Sequence, residues 1–260
     1  MTEEKRTELR SPTVTVKEGE PWVYLPNGTE LVDWNKEDEI CYNQQLRQDG
    51  KYTFFQNSLD FLQDNRVFGD YYEFGCHRCR TFRMVLTEAR RHNLHEMNFF
   101  AFDSFEGLPD PTSDTSVEIW KKGALTTTEQ SFTEMVDEHG IYTQNIKTIK
   151  GFYEDSLTSH LQKTMLDAGS KAALINIDCD LYESAVPVFD FIDPLLQEGT
   201  VLYIDDQFAG YKGNPMKGVS RAFLEWQNRT RWKLMPHLHI GWWGRSYIVY
   251  LDKSEPSGVL

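Results

Sequence analysis

The chain has 260 residues, of which 40% are hydrophobic and 13% aromatic, enough for one large globular domain. Its formal net charge of −13 argues against a nucleic-acid partner, because binding to the phosphate backbone needs clustered Lys and Arg. There is no run of about 18 apolar residues and no apolar signal core near Met1. We therefore expect a cytoplasmic protein without a membrane partner.

Residues 1–52 form an irregular segment in which Pro12 and Pro21 interrupt any periodic pattern. Apolar residues such as Trp34 indicate that this segment is an arm or cap packed on the core, and its aromatic residues favour a homodimer. Residues 53–260 then form the main domain.

From residue 52 onwards, helix and strand patterns alternate. Helices are predicted over 52–65, 81–92, 127–138, 156–165, 182–196 and 216–228. Strands are predicted over 71–74, 97–102, 145–150, 172–177 and 200–204, followed by an antiparallel pair over 232–239 and 246–251. Repeated β-α units predict an α/β fold with a doubly wound, mostly parallel sheet of seven strands.

The first strand-to-helix turn contains Glu73, Gly75, Cys76 and Arg78. A glycine here lets the backbone approach a ligand closely, and we expect Arg78 to contact a carboxylate of that ligand. The turn lacks the three glycines of a dinucleotide-binding fingerprint, which argues against a dehydrogenase. Cys76 and Cys79 have CxxC spacing, but no second pair exists, so we interpret them as small loop residues rather than a redox or zinc pair.

Asp103 and Ser104 follow the second strand. An acidic residue at this position is suited to hydrogen-bond both hydroxyls of a ribose. With Glu73 and Gly75 it predicts a nucleoside site without a phosphate clamp, which fits S-adenosylmethionine because that molecule carries adenosine and a sulfonium but no phosphate. The alternative is that Asp103 only caps a turn.

Two acidic clusters, Asp178-Cys179-Asp180 and Asp205-Asp206, close the fourth and fifth strands. Parallel strands joined by a helix end at the same edge of the sheet. Four converging carboxylates repel one another unless a cation lies among them. We therefore predict a divalent metal site, and hard oxygen ligands favour Mg²⁺ over zinc.

Four sequence blocks together resemble the macrocin O-methyltransferase (TylF-type) family of sugar O-methyltransferases. They are FDSFEGLP at 102–109, KGFYEDSL at 150–157, IDCDLYES at 177–184 and YIDD at 203–206. Their order is that of the family, and the resemblance covers roughly residues 60 to 225. The family usually has a second glycine in the first loop, where this chain has Cys79.

The resemblance implies a class I methyltransferase (Rossmann-like) fold for residues 53–260. It also implies S-adenosylmethionine as methyl donor and Mg²⁺-dependent transfer to a hydroxyl of a sugar or glycosylated natural product. By position, Asp178, Asp205 and Asp206 are then the metal ligands and Asp180 the general base. The predicted cofactor-binding residues are Glu73, Gly75, Cys76, Arg78, Asp103, Ser104, Gly151, Phe152 and Asp178.

Two alternatives remain at this point. The Asp178-Cys179-Asp180 sequence also matches the metal-binding DxD of a glycosyltransferase that uses a nucleotide sugar, but that function leaves Asp205, Asp206 and Asp103 without a role. A binding protein that keeps the fold without turnover is the second alternative. The intact carboxylates argue against it.

Overall fold

The computed structural model describes residues 36–111, 117 and 120–252, so the predicted arm up to residue 35 lies outside the described residues. The strands are β1 Asp70–Phe74, β2 Phe99–Asp103, β3 Ile146–Lys150, β4 Ala172–Ile177, β5 Val201–Ile204, β6 Lys233–Ile240 and β7 Gly244–Tyr250. The α-helices are α1 Lys36–Asp64, α2 Arg80–Arg91, α3 Glu129–His139, α4 Tyr153–Ser156, α5 Ser159–Asp167, α6 Tyr182–Ile192 and α7 Gly218–Gln227. Within this described part, no helix is both long and apolar enough to cross a membrane.

All seven strands form one sheet in the order β3-β2-β1-β4-β5-β7-β6. The first five positions are parallel, while β7 runs antiparallel to both β5 and β6. The chain order reverses between β1 and β4, which is the switch point where α/β sheets bind ligands. The predicted doubly wound sheet of seven strands and its antiparallel pair are confirmed.

Both faces of the sheet are covered by helices, which is why its central strands are buried along their whole length. All five residues of β1 and all six of β4 are buried. Successive side chains alternate between the two core layers: Tyr71 packs in the layer that contains Phe55, and Tyr72 packs in the layer that contains Trp226. This period of two is the strand geometry that the sequence pattern predicts.

Two helices differ from their predicted bounds. Helix α1 begins at Lys36 instead of residue 52, because its first half is mainly polar in sequence with good helix propensity, and the helix has almost no amphipathic period to detect. It therefore crosses the predicted boundary between arm and domain, and that division stays a prediction. The helix predicted over 156–165 begins later, as α5, because the Thr158 side chain accepts the N–H of Leu161 and caps the helix there, while the one-turn helix α4 precedes it.

Candidate active site

The tips of the central strands bring the acidic residues together. Ile177 is the register partner of both Phe74 and Ile204, so β1, β4 and β5 end side by side. The N–H of Asp178 donates to the Phe74 carbonyl at 2.8 Å, and the N–H of Asp205 donates to the Ile177 carbonyl at 2.9 Å. Backbone pairing thus places the two carboxylates next to each other. One carboxylate oxygen from each of Asp178, Asp205 and Asp206 lies within 4.8 Å of the others.

We call Asp178, Asp180, Asp205 and Asp206 the acidic cluster, and Asp180 and Asp206 are its two residues with unusual backbones. Both have left-handed backbone conformations, with φ of 61° and 48°, which Asp tolerates better than most residues and which are frequent at functional sites. Their carboxyl groups hydrogen-bond each other. Burial and then the charge of Asp178 raise the pKa of Asp180 to about 7, and burial and then Asp205 raise the pKa of Asp206.

Lys51 of α1 supplies a positive charge inside the acidic cluster. Its Nζ donates to Asp178 Oδ2 at 2.9 Å and to Asp205 Oδ2 at 3.0 Å. Burial alone would lower the pKa of this ammonium, but the two carboxylates outweigh burial and raise that pKa. Sequence reasoning missed Lys51, since it sits in a polar stretch with no motif around it.

Asp205 is the most firmly held carboxylate of the acidic cluster. Its Oδ1 accepts the indole N–H of Trp243 at 2.9 Å and the hydroxyl of Tyr203, while its Oδ2 accepts from Lys51. Burial would raise the pKa of Asp205, but Lys51 and the Tyr203 hydroxyl outweigh it and lower that pKa. Trp243 and Tyr203 were not among the predicted site residues.

The donor set fits a divalent cation. Three residues present carboxylate oxygens within 4.8 Å of one another, and among the described residues Lys51 is the ammonium that pairs with the four-carboxylate cluster, so formal negative charge remains in excess. Asp178 Oδ1 and Asp206 are not engaged by Lys51. Carboxylate oxygens converging in this number suit Mg²⁺.

A cavity of about 390 Å³ lies on these strand tips and connects Asp178 and Asp180 of the acidic cluster with several of the predicted cofactor residues. Its walls include Lys51, Asp178 and Asp180 at one end, and Asp103 and Gly151 at the other. The remaining predicted cofactor residues on its wall are Gly75, Ser104 and Phe152. Residues predicted to bind the metal or the substrate and residues predicted to bind the cofactor thus line the same cavity.

Asp103 both caps a turn and faces the cavity. Its Oδ2 accepts the N–H of Cys76 at 2.6 Å, and its Oδ1 accepts the N–H of Phe105 at 2.7 Å. Burial is the main reason that its pKa is raised. Each carboxylate oxygen can accept a further hydrogen bond, so capping leaves capacity for a ligand hydroxyl.

Gly75 is required by the protein backbone itself. Its φ is +93°, and a Cβ at this position would lie 1.8 Å from the carbonyl oxygen of Asp178. Only glycine lets the first turn lie against the strand tip that carries the acidic cluster. The close approach that the sequence predicts for a ligand is therefore made by Asp178.

Of the predicted cofactor residues, Glu73, Cys76 and Arg78 are not among those that line the cavity. Glu73 is completely buried, and its carboxylate accepts hydrogen bonds from Thr81 at 2.7 Å and from Tyr71, so it supports the turn from beneath. Arg78 is exposed, and its backbone N–H donates to Thr127 at 2.8 Å. The arginine that lines the cavity is Arg80, where the sequence analysis had favoured Arg78.

Comparison with known proteins places this architecture in a family. The macrocin O-methyltransferase (TylF) family profile matches residues 48–244, which include the described acidic cluster and Lys51. The chain belongs to this family.

Curated relatives of this TylF-family chain are about a quarter identical to it over the matched segment. It is 24% identical over 151 residues to the demethyldecarbamoylnovobiocin O-methyltransferase of Streptomyces niveus, covering 55% of this chain and 54% of that protein. It is 24% identical over 157 residues to the 8-demethyl-8-(2,3-dimethoxy-alpha-L-rhamnosyl)-tetracenomycin-C 4'-O-methyltransferase of Streptomyces olivaceus, covering 58% of each. The matches thus span little more than half the length of these curated relatives.

Solved structures of similar fold include two methyltransferases. CalS11, a calicheamicin methyltransferase, superposes with a TM-score of 0.66 at 17% identity, covering 92% of this chain and 100% of that one. The O-methyltransferase NovP superposes with a TM-score of 0.61 at 19% identity, covering 76% of this chain and 79% of that one. These likenesses confirm the predicted class I methyltransferase fold.

Cys79 stands where the family resemblance implies a second loop glycine, and it has a backbone conformation suited to glycine. Its φ is 54°, in the left-handed region that glycine enters most easily. The side chain is fully buried, and none of the four cysteines forms a disulfide bond in the structure. The CxxC pair forms no disulfide, and Cys79 keeps a glycine-like turn at the start of α2.

Proposed function

We propose that this TylF-family chain is a Mg²⁺-dependent O-methyltransferase that moves a methyl group from S-adenosylmethionine to a hydroxyl of a sugar or glycosylated natural product. The observation that carries the proposal is the cavity that joins Asp103 to Asp178 and Asp180, the two residues of the acidic cluster on its wall. The names of the curated relatives, which include a novobiocin-type and a rhamnosyl-tetracenomycin O-methyltransferase, support the acceptor class.

The donor end of the cavity suits a nucleoside without phosphates. Asp103 keeps acceptor capacity for ribose hydroxyls, and Gly151 and Phe152 line the neighbouring wall where we place the adenine. His77 and Arg80 also line the cavity and offer polar contacts to the methionine carboxylate. Because Asp103 and Asp178 flank the same space, a pyrophosphate would be repelled while a sulfonium would be attracted.

The acidic cluster serves the acceptor. Asp178, Asp205 and Asp206 would hold Mg²⁺, which when bound lowers the pKa of a coordinated hydroxyl and fixes its orientation. Asp180 then accepts the proton from the acceptor oxygen. A new carbon–oxygen bond forms as the carbon–sulfur bond of the sulfonium breaks. Opposite charges cancel in this step, so the protein acts chiefly by positioning the two reactants.

Family membership disfavours the DxD glycosyltransferase that the sequence left open. A nucleotide sugar would place its diphosphate on the cation, next to the carboxylates of Asp178 and Asp180 that line the cavity. The inactive binding protein is disfavoured because all four carboxylates are present and converge. A cytoplasmic location, a homodimer and the packing of the 1–52 arm on the core stay predictions from the sequence.

The experiment that tests the function is a transfer assay with an acceptor panel. Purified protein is incubated with S-adenosylmethionine, Mg²⁺ and a set of glycosides and nucleotide-activated sugars, and products are analysed by mass spectrometry. We expect one acceptor class to gain a single methyl group while S-adenosylhomocysteine accumulates in equal amount. Cleavage of a nucleotide sugar with no S-adenosylhomocysteine would favour the glycosyltransferase instead.

A further inference from the structure

Lys51 is bound to two of the three residues that we propose as metal ligands. Its Nζ lies 2.9 Å from Asp178 Oδ2 and 3.0 Å from Asp205 Oδ2, and only 10% of its side chain is exposed. Hydrogen bonds between a buried ammonium and two carboxylates are of the strong, charge-assisted kind. The ammonium therefore occupies the position between these oxygens as a specific partner.

A divalent cation needs the same oxygens at a shorter distance. Mg²⁺ binds its oxygen ligands at about 2.0–2.1 Å in near-octahedral geometry, so oxygens that now face an ammonium at 2.9 Å and 3.0 Å have to draw inward. Asp205 has little freedom to offer its other oxygen, because Oδ1 already accepts from Tyr203 and Trp243. Lys51 and the metal thus depend on Asp205 Oδ2.

We propose that Lys51 and a divalent cation exchange at Asp178 and Asp205, so that metal binding requires the ammonium to withdraw into the adjoining cavity. This inference rests on the Mg²⁺ site of the proposed function. Lys51 itself lines the cavity, which gives its flexible side chain a polar space to enter. Lys51 accordingly weakens metal binding, and it forms ion pairs with Asp178 and Asp205 whenever the divalent metal is not bound.

Direct metal titration tests the exchange without any methyl transfer. Mn²⁺ binding to the chelator-treated full chain is measured by electron paramagnetic resonance for the wild type, Lys51→Met and Lys163→Met. Lys163 is the matched control, because it is exposed and pairs only with Asp167 on α5 in the described structure. We expect Lys51→Met to bind Mn²⁺ at least ~10-fold more tightly than the wild type, because Mn²⁺ no longer has to displace the hydrogen bonds of the Lys51 ammonium to the two carboxylates. Equal or weaker binding by Lys51→Met would overturn the proposal.

A labelling experiment on the wild type keeps the test valid if Lys51→Met does not fold. Lysines are acylated with and without Mg²⁺, and the rate at each position is read by peptide mass spectrometry. We expect the rate at Lys51 to rise several-fold with Mg²⁺, and the rate at Lys163 to stay constant. An unchanged or lower rate at Lys51 would mean that both cations bind together, which contradicts exchange.

Failure of the proposed metal site looks different from failure of the exchange. If wild type and both variants bind S-adenosylmethionine but none binds Mn²⁺, the metal-dependent function and the exchange both fall, and Lys51 is then the permanent cation of the acidic cluster. If all three bind Mn²⁺ equally, only the exchange falls.

Discussion

The indole Nε1 of Trp243 donates a hydrogen bond of 2.9 Å to Asp205 Oδ1, across 38 positions of sequence. Trp243 lies in the turn between β6 and β7, and the guanidinium of Arg47 from α1 lies 5.2 Å from its ring centre. A turn without any recognisable motif therefore orients a carboxylate of the acidic cluster. Partners of this kind fix the direction of a ligand that binds a metal.

Replacing Trp243 by Phe should weaken the proposed metal site. The ring remains but the hydrogen bond to Asp205 is lost, and loss of such a partner typically costs ~10–100-fold in metal affinity. Mn²⁺ titration of Trp243→Phe measures this, with Trp242→Phe as control because Trp242 is 63% exposed. Identical Mn²⁺ affinity in Trp243→Phe and Trp242→Phe would show that the hydrogen bond does not matter for the metal.

Replacing Asp180 by Asn should slow methyl transfer while leaving the binding of metal and S-adenosylmethionine nearly unchanged. Asn tolerates the left-handed backbone at this position but accepts no proton, so kcat should fall by at least ~100-fold, the lower range for removal of a general base. The dissociation constants for Mn²⁺ and S-adenosylmethionine, measured by titration, should change little. A variant that loses Mn²⁺ binding as completely as Asp206→Asn would make Asp180 a ligand instead of a base.

Replacing Gly75 by Ala should damage the fold of the site. Any Cβ meets the Asp178 carbonyl at 1.8 Å and the backbone has φ of +93°. Gly169→Ala is the matched control, because Gly169 also has a positive φ of +79° but nothing lies within 4 Å of its Cβ. Urea unfolding should show a loss of about 1–2 kcal/mol for the control, from the backbone conformation alone. Gly75→Ala should lose about 1–3 kcal/mol more, from the clash, and equal losses would contradict the close contact.

Replacing Glu73 by Gln should change how stability depends on pH. Burial raises the pKa of Glu73 to about 7 from a value of 4.5 in the unfolded chain. Between pH 4.5 and about 7 the folded protein binds the Glu73 proton more tightly than the unfolded chain does. The stability that the protonated Glu73 contributes is therefore complete below the unfolded pKa and is lost as pH rises through about 7. Gln resembles the protonated carboxyl and loses nothing.

As pH rises from the unfolded pKa to the folded pKa, the free energy of unfolding of Glu73→Gln should increase by roughly 3 kcal/mol relative to that of the wild type. Above the folded pKa this difference, the stability gap, should stay constant. Urea unfolding at several pH values measures the gap. A gap that does not vary with pH would mean that Glu73 is ionised in the folded protein throughout the range.

Much of the fold follows from patterns that the sequence displays. Apolar runs such as 172–177 read as buried strands, and the carboxylates that end β4 and β5 converge because parallel strands finish at one edge of the sheet. The family resemblance came from blocks around Asp103 and Asp178, which lie at strand tips where the backbone constrains sequence. The same reasoning placed Gly75 at a close approach.

What the sequence could not predict depends on side-chain direction and on distant contacts. Lys51 reaches Asp178 across 127 positions, and its helix has a polar first half that shows no apolar period. Arg78 and Arg80 differ by two positions, but the left-handed backbone at Arg78 and Cys79 turns only Arg80 to the cavity. Nothing in a one-dimensional pattern distinguishes these arginines.

The most direct test of the account is methyl transfer measured before and after metal removal. Chelator-treated protein is supplied with S-adenosylmethionine and its acceptor, and S-adenosylhomocysteine is quantified, first with chelator and then after Mg²⁺ is restored in excess. We predict that transfer is lost with chelator and recovered with Mg²⁺, while binding of S-adenosylmethionine stays the same. Full transfer in the presence of the chelator would contradict the metal-dependent mechanism.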